Sequence, residues 1–263
     1  MNTTPDLPSA LSIAGSDSGA GAGIQADLLT FAANGVFGTT AITCLTAQNP
    51  KGVSAVYPVP PDFVREQCRQ VASHFHPRAL KTGMLLEVGI VEAVARFIEE
   101  SGIPAVVDPV MVATSGATLL APEAVESVQK RLIPRATLVT PNLDEASILL
   151  GRKALGGARA EADALELAKT YGVPFLLKGG HAEGDELIDV LAWPEGRTFV
   201  LKARRAPGVD THGSGCTLSA AITAHLAHGK GLKESVQAAH AYLQGAIHNS
   251  LPVSGLKVIR HGG

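Results

Sequence analysis

The stretch LSIAGSDSGAGAGIQADLLTFAANG, residues 11–35, decides the fold class of this chain. It opens with a short apolar run typical of a buried strand and passes through a glycine-rich turn. It then continues into an apolar-rich segment typical of a helix that ends at a glycine. A strand, a tight turn and a helix form the repeating unit of parallel-sheet proteins. The stretch therefore predicts an α/β protein, provided that the rest of the chain repeats the unit.

Most of the 263-residue chain does repeat it. Apolar runs typical of buried strands recur at 40–48, 79–83, 105–110, 137–142 and 175–180. Segments typical of helices lie at 61–75, 88–102, 121–133, 143–151 and 160–172. This order predicts one three-layer α/β domain over residues 1–263, with a mostly parallel central sheet, helices on both faces and an antiparallel edge hairpin near 186–203. In such folds, ligands gather at the carboxyl ends of the strands.

The composition narrows the functional class. The formal net charge is −2 and only 4% of the residues are aromatic, so the chain lacks the basic surface and stacking platforms that nucleic-acid binding needs. It has no apolar run of about 18 residues, and its start, MNTTPDLPSA, lacks the features of a signal peptide. Cys44, Cys68 and Cys216 are widely spaced and form no CxxC, which fits neither a disulfide framework nor a zinc site. We expect a cytoplasmic protein with reduced thiols and without nucleic-acid or membrane partners.

The glycine cluster at 15–23 lies between the first strand and the first helix. Residues 21–26 match the dinucleotide fingerprint G-x-G-x-x-A, but the second strand ends in TAQN, without the acid that would hold a ribose. The chain also contains no G-x-x-x-x-G-K-[ST] phosphate loop. The glycines instead favour close approach of the backbone to a small ligand, with Asp27 facing that ligand from the helix. A plain tight turn is the alternative interpretation.

A second glycine motif, His212-Gly213-Ser214-Gly215-Cys216, precedes an apolar helical segment. The unpaired backbone N–H groups of Gly213 to Cys216 should form an anion hole at the start of that helix. The helix dipole should lower the pKa of the Cys216 thiol and make it a candidate base. The alternative is a glycine-rich turn before a buried helix, with an inert cysteine.

Polar residues follow several of the predicted strands. Asp108 is an acid at the point where a parallel strand opens onto the ligand face. Asn142 and Glu145 carry hard oxygen atoms that can reach Mg²⁺ or its waters, and Lys178 suits a polyphosphate. Three of these residues have a structural alternative, because Asn142 and Glu145 could simply favour a helix N-terminus and Lys178 could end its strand in solvent.

Taken together, the motifs resemble one family along nearly the whole chain: the hydroxymethylpyrimidine/phosphomethylpyrimidine kinases of thiamine biosynthesis, in the ribokinase-like superfamily. The motifs are AGSDSGAGAGIQAD (14–27), TAQN (46–49), KTGML (81–85), DPVM (108–111), SG (115–116), TPNLDEA (140–146), LKGGH (177–181) and THGSGCTLSAAI (211–222). The resemblance implies a ribokinase-like fold and transfer of phosphate from ATP to 4-amino-5-hydroxymethyl-2-methylpyrimidine, and then to its monophosphate.

The resemblance also implies roles for individual residues. Cys216 takes the place of the catalytic base, and Gly213, Ser214 and Gly215 form the anion hole. The positions that match pyrimidine contacts are Gly15, Ala22, Asp27, Gln48, Met84 and Val110. Asp108 and Glu145 match the acids that serve Mg²⁺ and phosphate, while Asn142, Lys178 and Thr211 match the ATP site. A homodimer is expected by analogy with the family.

The chain departs from the family pattern in places. Ser214 stands where threonine is common, Asp210 where asparagine is common, and Arg260-His261-Gly262-Gly263 where the usual tail is G-H-G-P. Two rivals stay open from the residues. One is a pyridoxal kinase of the same superfamily, whose substrate also carries a hydroxymethyl group. The other is a non-catalytic pyrimidine-binding sensor, which would not need Cys216, Asp108 and Lys178 together.

Overall fold

The computed structural model describes residues 6–111, 120–180 and 186–262. Its strands are β1 Ser9–Asp17, β2 Phe37–Asn49, β3 Gly52–Pro58, β4 Ala79–Thr82, β5 Ala105–Val107, β6 Leu138–Val139, β7 Phe175–Leu177, β8 Glu186–Ala192, β9 Thr198–Arg204, β10 Leu251–Val253 and β11 Leu256–Val258. Its helices are α1 Gly23–Ala33, α2 Pro61–Phe75, α3 Val88–Ser101, α4 Pro122–Ser127, α5 Leu143–Leu150, α6 Ala160–Tyr171, α7 Ser214–Ala227 and α8 Leu232–His248.

Nine of these strands form one sheet, in the order β3-β2-β1-β4-β5-β6-β7-β8-β9. Parallel pairing joins six neighbouring strands of the sheet, in the order β2, β1, β4, β5, β6 and β7. Strand β3 at one edge of the sheet and the β8–β9 hairpin at the other edge are antiparallel to their neighbours. The predicted mostly parallel sheet and the predicted edge hairpin are therefore confirmed. Strands β10 and β11 pair separately as a short hairpin.

The sheet divides the core into two layers because neighbouring residues of a strand point to opposite faces. Val107 belongs to the cluster beneath helices α2 to α6, while the preceding residue, Val106, belongs to the cluster with Leu218 and Ile222 of α7. Phe31 of α1 packs with alanines of α7 on this second face. The predicted three layers are thus present, with α1, α7 and α8 on the side opposite α2 to α6.

Three predicted helices end at glycines in the left-handed conformation that glycine favours, Gly102, Gly151 and Gly172. The helix predicted over 121–133 is built from α4, a π turn at Val128–Leu132 and a 3₁₀ turn at Ile133–Arg135. Among the described residues, no helix combines the length and apolar character needed to cross a membrane.

The sequence prediction missed strand β3, helix α8 and the β10–β11 hairpin. Every residue of β3 is exposed, so the strand carries no buried apolar pattern that could reveal it. Ser115, Gly116 and His181, which contribute to the family motifs, lie outside the described residues.

Candidate active site

A cavity of about 490 Å³ opens at the carboxyl ends of the parallel strands. The end of β1 contributes Gly15 to Asp17, and the segments that follow β5, β6 and β7 contribute Asp108, Asn142 and Lys178. The start of α7 closes another side with Gly213 to Cys216. Convergence at this edge was predicted, because parallel strands all end on the same side of the sheet.

Asp17 shapes the glycine loop that follows β1. Its Oδ1 accepts a hydrogen bond from the Gly19 N–H at 2.7 Å, and its Oδ2 accepts one from the Ala22 N–H at 2.9 Å. Burial acts to raise the pKa of Asp17, but hydrogen bonds from His212, Gly19 and Ala22 outweigh it and hold the pKa below its usual range. The Asp17 carboxylate therefore holds the backbone of the glycine loop in one turn, through its hydrogen bonds to Gly19 and Ala22. Sequence reasoning did not assign this role, although an aspartate two residues before a glycine is a typical turn signal.

The start of α7 touches that loop. Gly213 adopts φ +80°, and a Cβ added there would lie 1.9 Å from the carbonyl oxygen of Gly21. Only glycine fits this approach, so the two glycine motifs are packed against each other. The Ser214 N–H donates to the Thr211 carbonyl at 3.0 Å. The expectation that all of the N–H groups from Gly213 to Cys216 are unpaired is therefore wrong for Ser214.

Cys216 lies in the first turn of α7 and lines the cavity. Its predicted low pKa is wrong. Burial raises the pKa of the thiol to about 11; Lys81 opposes the rise, and Asp27 and Asp108 add to it. A helix N-terminus stabilises a charge by about 2 kcal/mol at most, whereas burial can shift a pKa by several units. The thiol is protonated at neutral pH in the protein without ligands.

Asp108 and Lys178 form an ion pair in the cavity, with Nζ 2.9 Å from Oδ1. Thr140 also donates to Asp108 Oδ1, and Ser219 of α7 donates to its Oδ2 at 3.3 Å. Burial raises the pKa of Asp108, but the neighbouring Lys178 and Lys81 outweigh it, so the net pKa is lowered. Burial lowers the pKa of Lys178, and Asp108 with Glu145 more than reverses this. Both groups are charged at neutral pH.

Asn142 and Glu145 form a capping box at the start of α5. The Asn142 side chain accepts from the Glu145 N–H, and Glu145 Oε2 accepts from the Asn142 N–H, both at 2.9 Å. The structural alternative for Glu145 is thus realised, yet both residues also line the cavity. Burial raises the pKa of Glu145 to about 7, Lys178 opposes this rise and Asp108 adds to it.

Asp27 does not face the cavity, so that part of its predicted role is wrong. Its side chain is 0% exposed and pairs with Lys81 Nζ at 2.8 Å, while its second oxygen accepts from Ser12 Oγ at 2.5 Å. Asp27 instead points toward the sheet, where it contacts Ser12 of β1 and Lys81 of β4. The partner at the sheet is the buried Lys81 rather than a ligand, and burial raises the pKa of Asp27 despite this lysine.

Gln48, at the end of β2, lines the cavity beside His212. The two side chains approach to 3.3 Å, and His212 Nε2 lies 3.5 Å from Asp17 Oδ2. The hydrogen bond to Asp17 raises the pKa of His212, although burial opposes this rise. Sequence reasoning left His212 without a role. Its position as the first residue of the second glycine motif was the available signal.

The carboxylates of Asp108 and Glu145 are the groups that suit a magnesium ion. Both are buried side chains in one cavity, and the charge of Asp108 raises the pKa of Glu145, a repulsion that a cation would relieve. Within the described ranges, no cluster of three or more His, Cys, Asp or Glu side chains could enclose a metal. The site therefore fits a hydrated Mg²⁺ that arrives with phosphates, which commonly needs only one or two carboxylates.

Of the residues assigned from the resemblance, all except Asp27 line this single cavity. They are Gly15, Ala22, Gln48, Met84, Asp108, Val110, Asn142, Glu145, Lys178, Thr211, Gly213, Ser214, Gly215 and Cys216.

Comparisons with known proteins identify the family of this chain. The profile of the family described as phosphomethylpyrimidine kinase matches residues 17–259. A hydroxymethylpyrimidine/phosphomethylpyrimidine kinase of Rhizobium meliloti (strain 1021) is 49% identical over 241 residues, which cover 90% of each chain. The solved ADP complex of Bacillus subtilis pyridoxal kinase has a TM-score of 0.88 at 38% identity and covers 97% of this chain and 98% of its own. A phosphomethylpyrimidine kinase from Clostridium difficile 630 has a TM-score of 0.80 at 38% identity, with 91% and 99% covered.

Proposed function

This chain belongs to the phosphomethylpyrimidine kinase family, with the ribokinase-like fold of its structural neighbours, and on that premise we propose its reaction. It phosphorylates the hydroxymethyl group of 4-amino-5-hydroxymethyl-2-methylpyrimidine with ATP, and then phosphorylates the monophosphate to the diphosphate. The observation that carries this proposal is the single cavity in which Gln48, Cys216 and Lys178 meet.

The cavity has two chemically different ends. The first contains Gly15, Ala22, Gln48, Met84 and Val110, whose backbone, amide and apolar groups suit a small aromatic ring. In this proposal the glutamine amide pairs with the donor and acceptor of the aminopyrimidine edge.

The second end contains Asn142, Lys178 and Thr211, which suit a nucleoside triphosphate. Gly213, Ser214 and Gly215 lie at the start of α7 in the same cavity, and we place the transferred phosphoryl group there. The ADP complex of the Bacillus subtilis pyridoxal kinase supports a nucleotide site in this fold.

In the first transfer, the hydroxymethyl oxygen forms a bond to the γ-phosphorus of ATP while the bond between that phosphorus and the β,γ-bridging oxygen breaks. The proton of the alcohol passes to the thiolate form of Cys216, which is the minor form at neutral pH because burial raises the pKa of this thiol to about 11. Because phosphoryl transfer has a loose transition state, the alcohol loses its proton late, and positioning with charge neutralisation does most of the work. Lys178 and the α7 N-terminus supply that neutralisation from this chain.

In the second transfer, the nucleophile is an oxygen of the monophosphate. The second pKa of a phosphate monoester is about 6, so the monophosphate has already lost its second proton at neutral pH. The second step therefore needs no base, and Cys216 serves the first step alone.

Asp108 and Glu145 would hold the Mg²⁺ that enters with ATP, directly or through its waters. When bound, the ion neutralises charge on the phosphates during transfer. Asp108 also orients Lys178, because their ion pair holds the ammonium group at the cavity wall.

A pyridoxal kinase is the second candidate, and the TM-score of 0.88 with the Bacillus subtilis pyridoxal kinase favours it specifically. The test incubates the protein with ATP, Mg²⁺ and each alcohol in turn, and identifies the products by mass. Sequential appearance of pyrimidine monophosphate and diphosphate is expected. Formation of pyridoxal 5′-phosphate alone would assign the second candidate, and no phosphorylated product from either alcohol would favour the sensor.

We also propose a homodimer in the cytoplasm. Strand β3 lies at the sheet edge, and Leu45, Val53 and Tyr57 on β2 and β3 are 47%, 43% and 69% exposed. Unpaired sheet edges with apolar side chains commonly pair with another chain. Light scattering after gel filtration should give a two-chain mass, and Tyr57→Lys should shift it toward one chain.

A further inference from the structure

The turn that carries Lys178 is held by a side chain from the neighbouring strand. Strands β7 and β8 pair in antiparallel fashion, and their pairing ends at Leu177 and Val190. Beyond that point, the Gly179 N–H donates a hydrogen bond to Asp189 Oδ1 at 2.8 Å. Asp189 thus bonds the turn to β8 through its side chain, where the backbone pairing has already ended.

The Gly179 N–H needs this acceptor because the residue is packed inside the protein. Gly179 is buried, and a Cβ added to it would lie 2.2 Å from the carbonyl oxygen of Ile188, so the turn lies directly against β8. A buried N–H group without an acceptor is unfavourable, because it has lost its hydrogen bonds to water. The turn therefore keeps its present path only while Asp189 supplies the acceptor.

The position of the Lys178 ammonium group depends on that path. The Lys178 N–H donates to the Pro141 carbonyl oxygen at 2.9 Å on one side, and the next residue, Gly179, is bonded to β8 on the other. At the far end of the side chain, Nζ lies 2.9 Å from Asp108 Oδ1. A lysine stem has four flexible carbons, so the place of its ammonium group follows the backbone that carries it. The turn thereby sets where Nζ meets the cavity.

The negative charge of Asp189 does not explain its place beside a site for phosphates. Asp189 lines the cavity, and its side chain is 14% exposed. Burial raises the pKa of Asp189, although Gly179, His240 and Lys178 oppose the rise. An ionised acid would repel a triphosphate, whereas accepting a hydrogen bond from Gly179 needs an oxygen and no charge. The acceptor oxygen is therefore the useful part of this side chain.

We propose that Asp189 is a positioning residue, which holds the Lys178–Gly179 turn so that the Lys178 ammonium group meets the phosphates of ATP. It acts through Lys178 and does not touch the reacting atoms. The proposal rests on the proposed function for the role of Lys178 in phosphoryl transfer. It requires an acceptor oxygen at position 189 and a lysine at position 178.

The kinetic test uses two matched variants of Asp189. Asp189→Leu removes the acceptor with little change in volume, and Asp189→Asn keeps an oxygen but removes the charge. With the alcohol that the protein phosphorylates, kcat should fall about tenfold in Asp189→Leu and stay within about twofold of wild type in Asp189→Asn, while KM for the alcohol changes little. An unchanged kcat in Asp189→Leu, or an equal loss in both variants, would overturn the proposal.

A double variant separates positioning from a general effect on the fold. In a Lys178→Met background, Asp189→Leu should lower kcat by no more than about twofold, because the group that Asp189 positions is gone. A residue that only stabilises the fold would lower kcat by the same factor in both backgrounds. That result would refute a role through Lys178.

Hydrogen exchange covers the case in which Asp189→Leu does not fold. The Gly179 amide proton, followed by NMR, should exchange slowly in wild type and in Asp189→Asn, because both keep an acceptor for it. Fast exchange of this proton in folded wild-type protein would show that Asp189 does not hold the turn, and the proposal would fail.

The outcome for the proposed function is read separately. If neither alcohol is phosphorylated, the proposed function fails, and the coupling is measured instead on ATP binding by calorimetry. Asp189→Leu should then weaken ATP binding in the wild-type background and not in the Lys178→Met background. If an alcohol is phosphorylated but the two residues are not coupled, the positioning role alone fails.

Discussion

The protein contains two lysine–aspartate pairs beside the central strands of the sheet, and the surroundings of the two pairs differ. In the first, Lys81 Nζ lies 2.8 Å from Asp27 Oδ1, and both side chains are 0% exposed. In the second, Lys178 Nζ lies 2.9 Å from Asp108 Oδ1, and the side chains are 12% and 3% exposed. Distance and residue types are nearly equal in the two pairs. The two pairs differ in their access to the cavity, because Lys178 and Asp108 line it and Lys81 and Asp27 do not.

That difference separates a structural role from a chemical one. The second oxygen of Asp27 is taken by Ser12, so the Lys81–Asp27 pair is sealed and no ligand can exchange with either partner. Lys178 and Asp108 line the cavity, so a phosphate can share the lysine. A sealed ion pair serves stability through charge compensation, and a pair on a cavity wall can serve a reaction. The predictions below test this division, beginning with Cys216, whose pKa responds to Lys81, Asp27 and Asp108.

Cys216→Ala should give the largest effect. Removing the base should lower the first phosphorylation by about 10²- to 10⁴-fold, while the second phosphorylation falls much less because its nucleophile is already ionised. Rates of the two steps, measured separately from the alcohol and from the monophosphate, check this. Because burial raises the pKa of the thiol to about 11, wild-type kcat/KM for the alcohol should also rise with pH above neutrality.

The control for this variant is its thermal midpoint, which should stay near that of wild type. Iodoacetamide should modify Cys216 before Cys44 and Cys68, which are both 0% exposed. An equal loss in both phosphorylation steps would contradict proton transfer to Cys216.

Lys81→Met should give the next largest effect, and it acts on stability. It leaves the buried Asp27 carboxyl without its counter-charge, which should cost about 3–5 kcal/mol in the free energy of unfolding. Urea denaturation at neutral pH measures this. The double variant Lys81→Met with Asp27→Leu should recover much of the loss, because it removes both charges. No recovery would show that Lys81 has a role beyond compensating Asp27.

Lys178→Met tests the other pair and should mainly change activity. We expect kcat to fall about 100-fold through lost charge neutralisation, with a smaller loss of unfolding free energy than for Lys81→Met because the site is open to water. Steady-state kinetics and urea denaturation on the same preparation give both quantities. A stability loss equal to that of Lys81→Met would remove the distinction between the two pairs.

Glu145→Gln should give the smallest effect and is a test of pH dependence. The pKa of Glu145 is raised from 4.5 to about 7. Between these values the unfolded chain releases the proton while the folded protein keeps it, so the stability contribution present at low pH is lost as pH rises. Glutamine has no such proton and still can accept the Asn142 hydrogen bond.

The variant should therefore gain about 1–3 kcal/mol of unfolding free energy relative to wild type between about pH 5 and pH 8. Urea denaturation at the two pH values checks this. A parallel decline in both proteins would assign the pH dependence to other groups.

The sequence predicted much of the site because strand ends are local features. Asp108, Asn142 and Lys178 each follow a short apolar run, and parallel strands bring their carboxyl ends to one edge. The same reasoning could not find β3, whose residues are all exposed, because periodicity reveals only elements with a buried face.

The sequence by itself determined the order of strands and helices and the edge at which the polar residues meet, since both follow from hydrophobic periodicity and glycine positions. Only the tertiary structure decided how deeply each group is buried and which partner it has. Asp27 became a sealed ion partner instead of a ligand contact, and Cys216 gained a raised pKa in place of a lowered one. Folding also brought the Gln48 side chain to within 3.3 Å of His212, which lies 164 positions away in the sequence. Desolvation and long-range hydrogen bonding depend on packing between distant segments, and no local pattern encodes them.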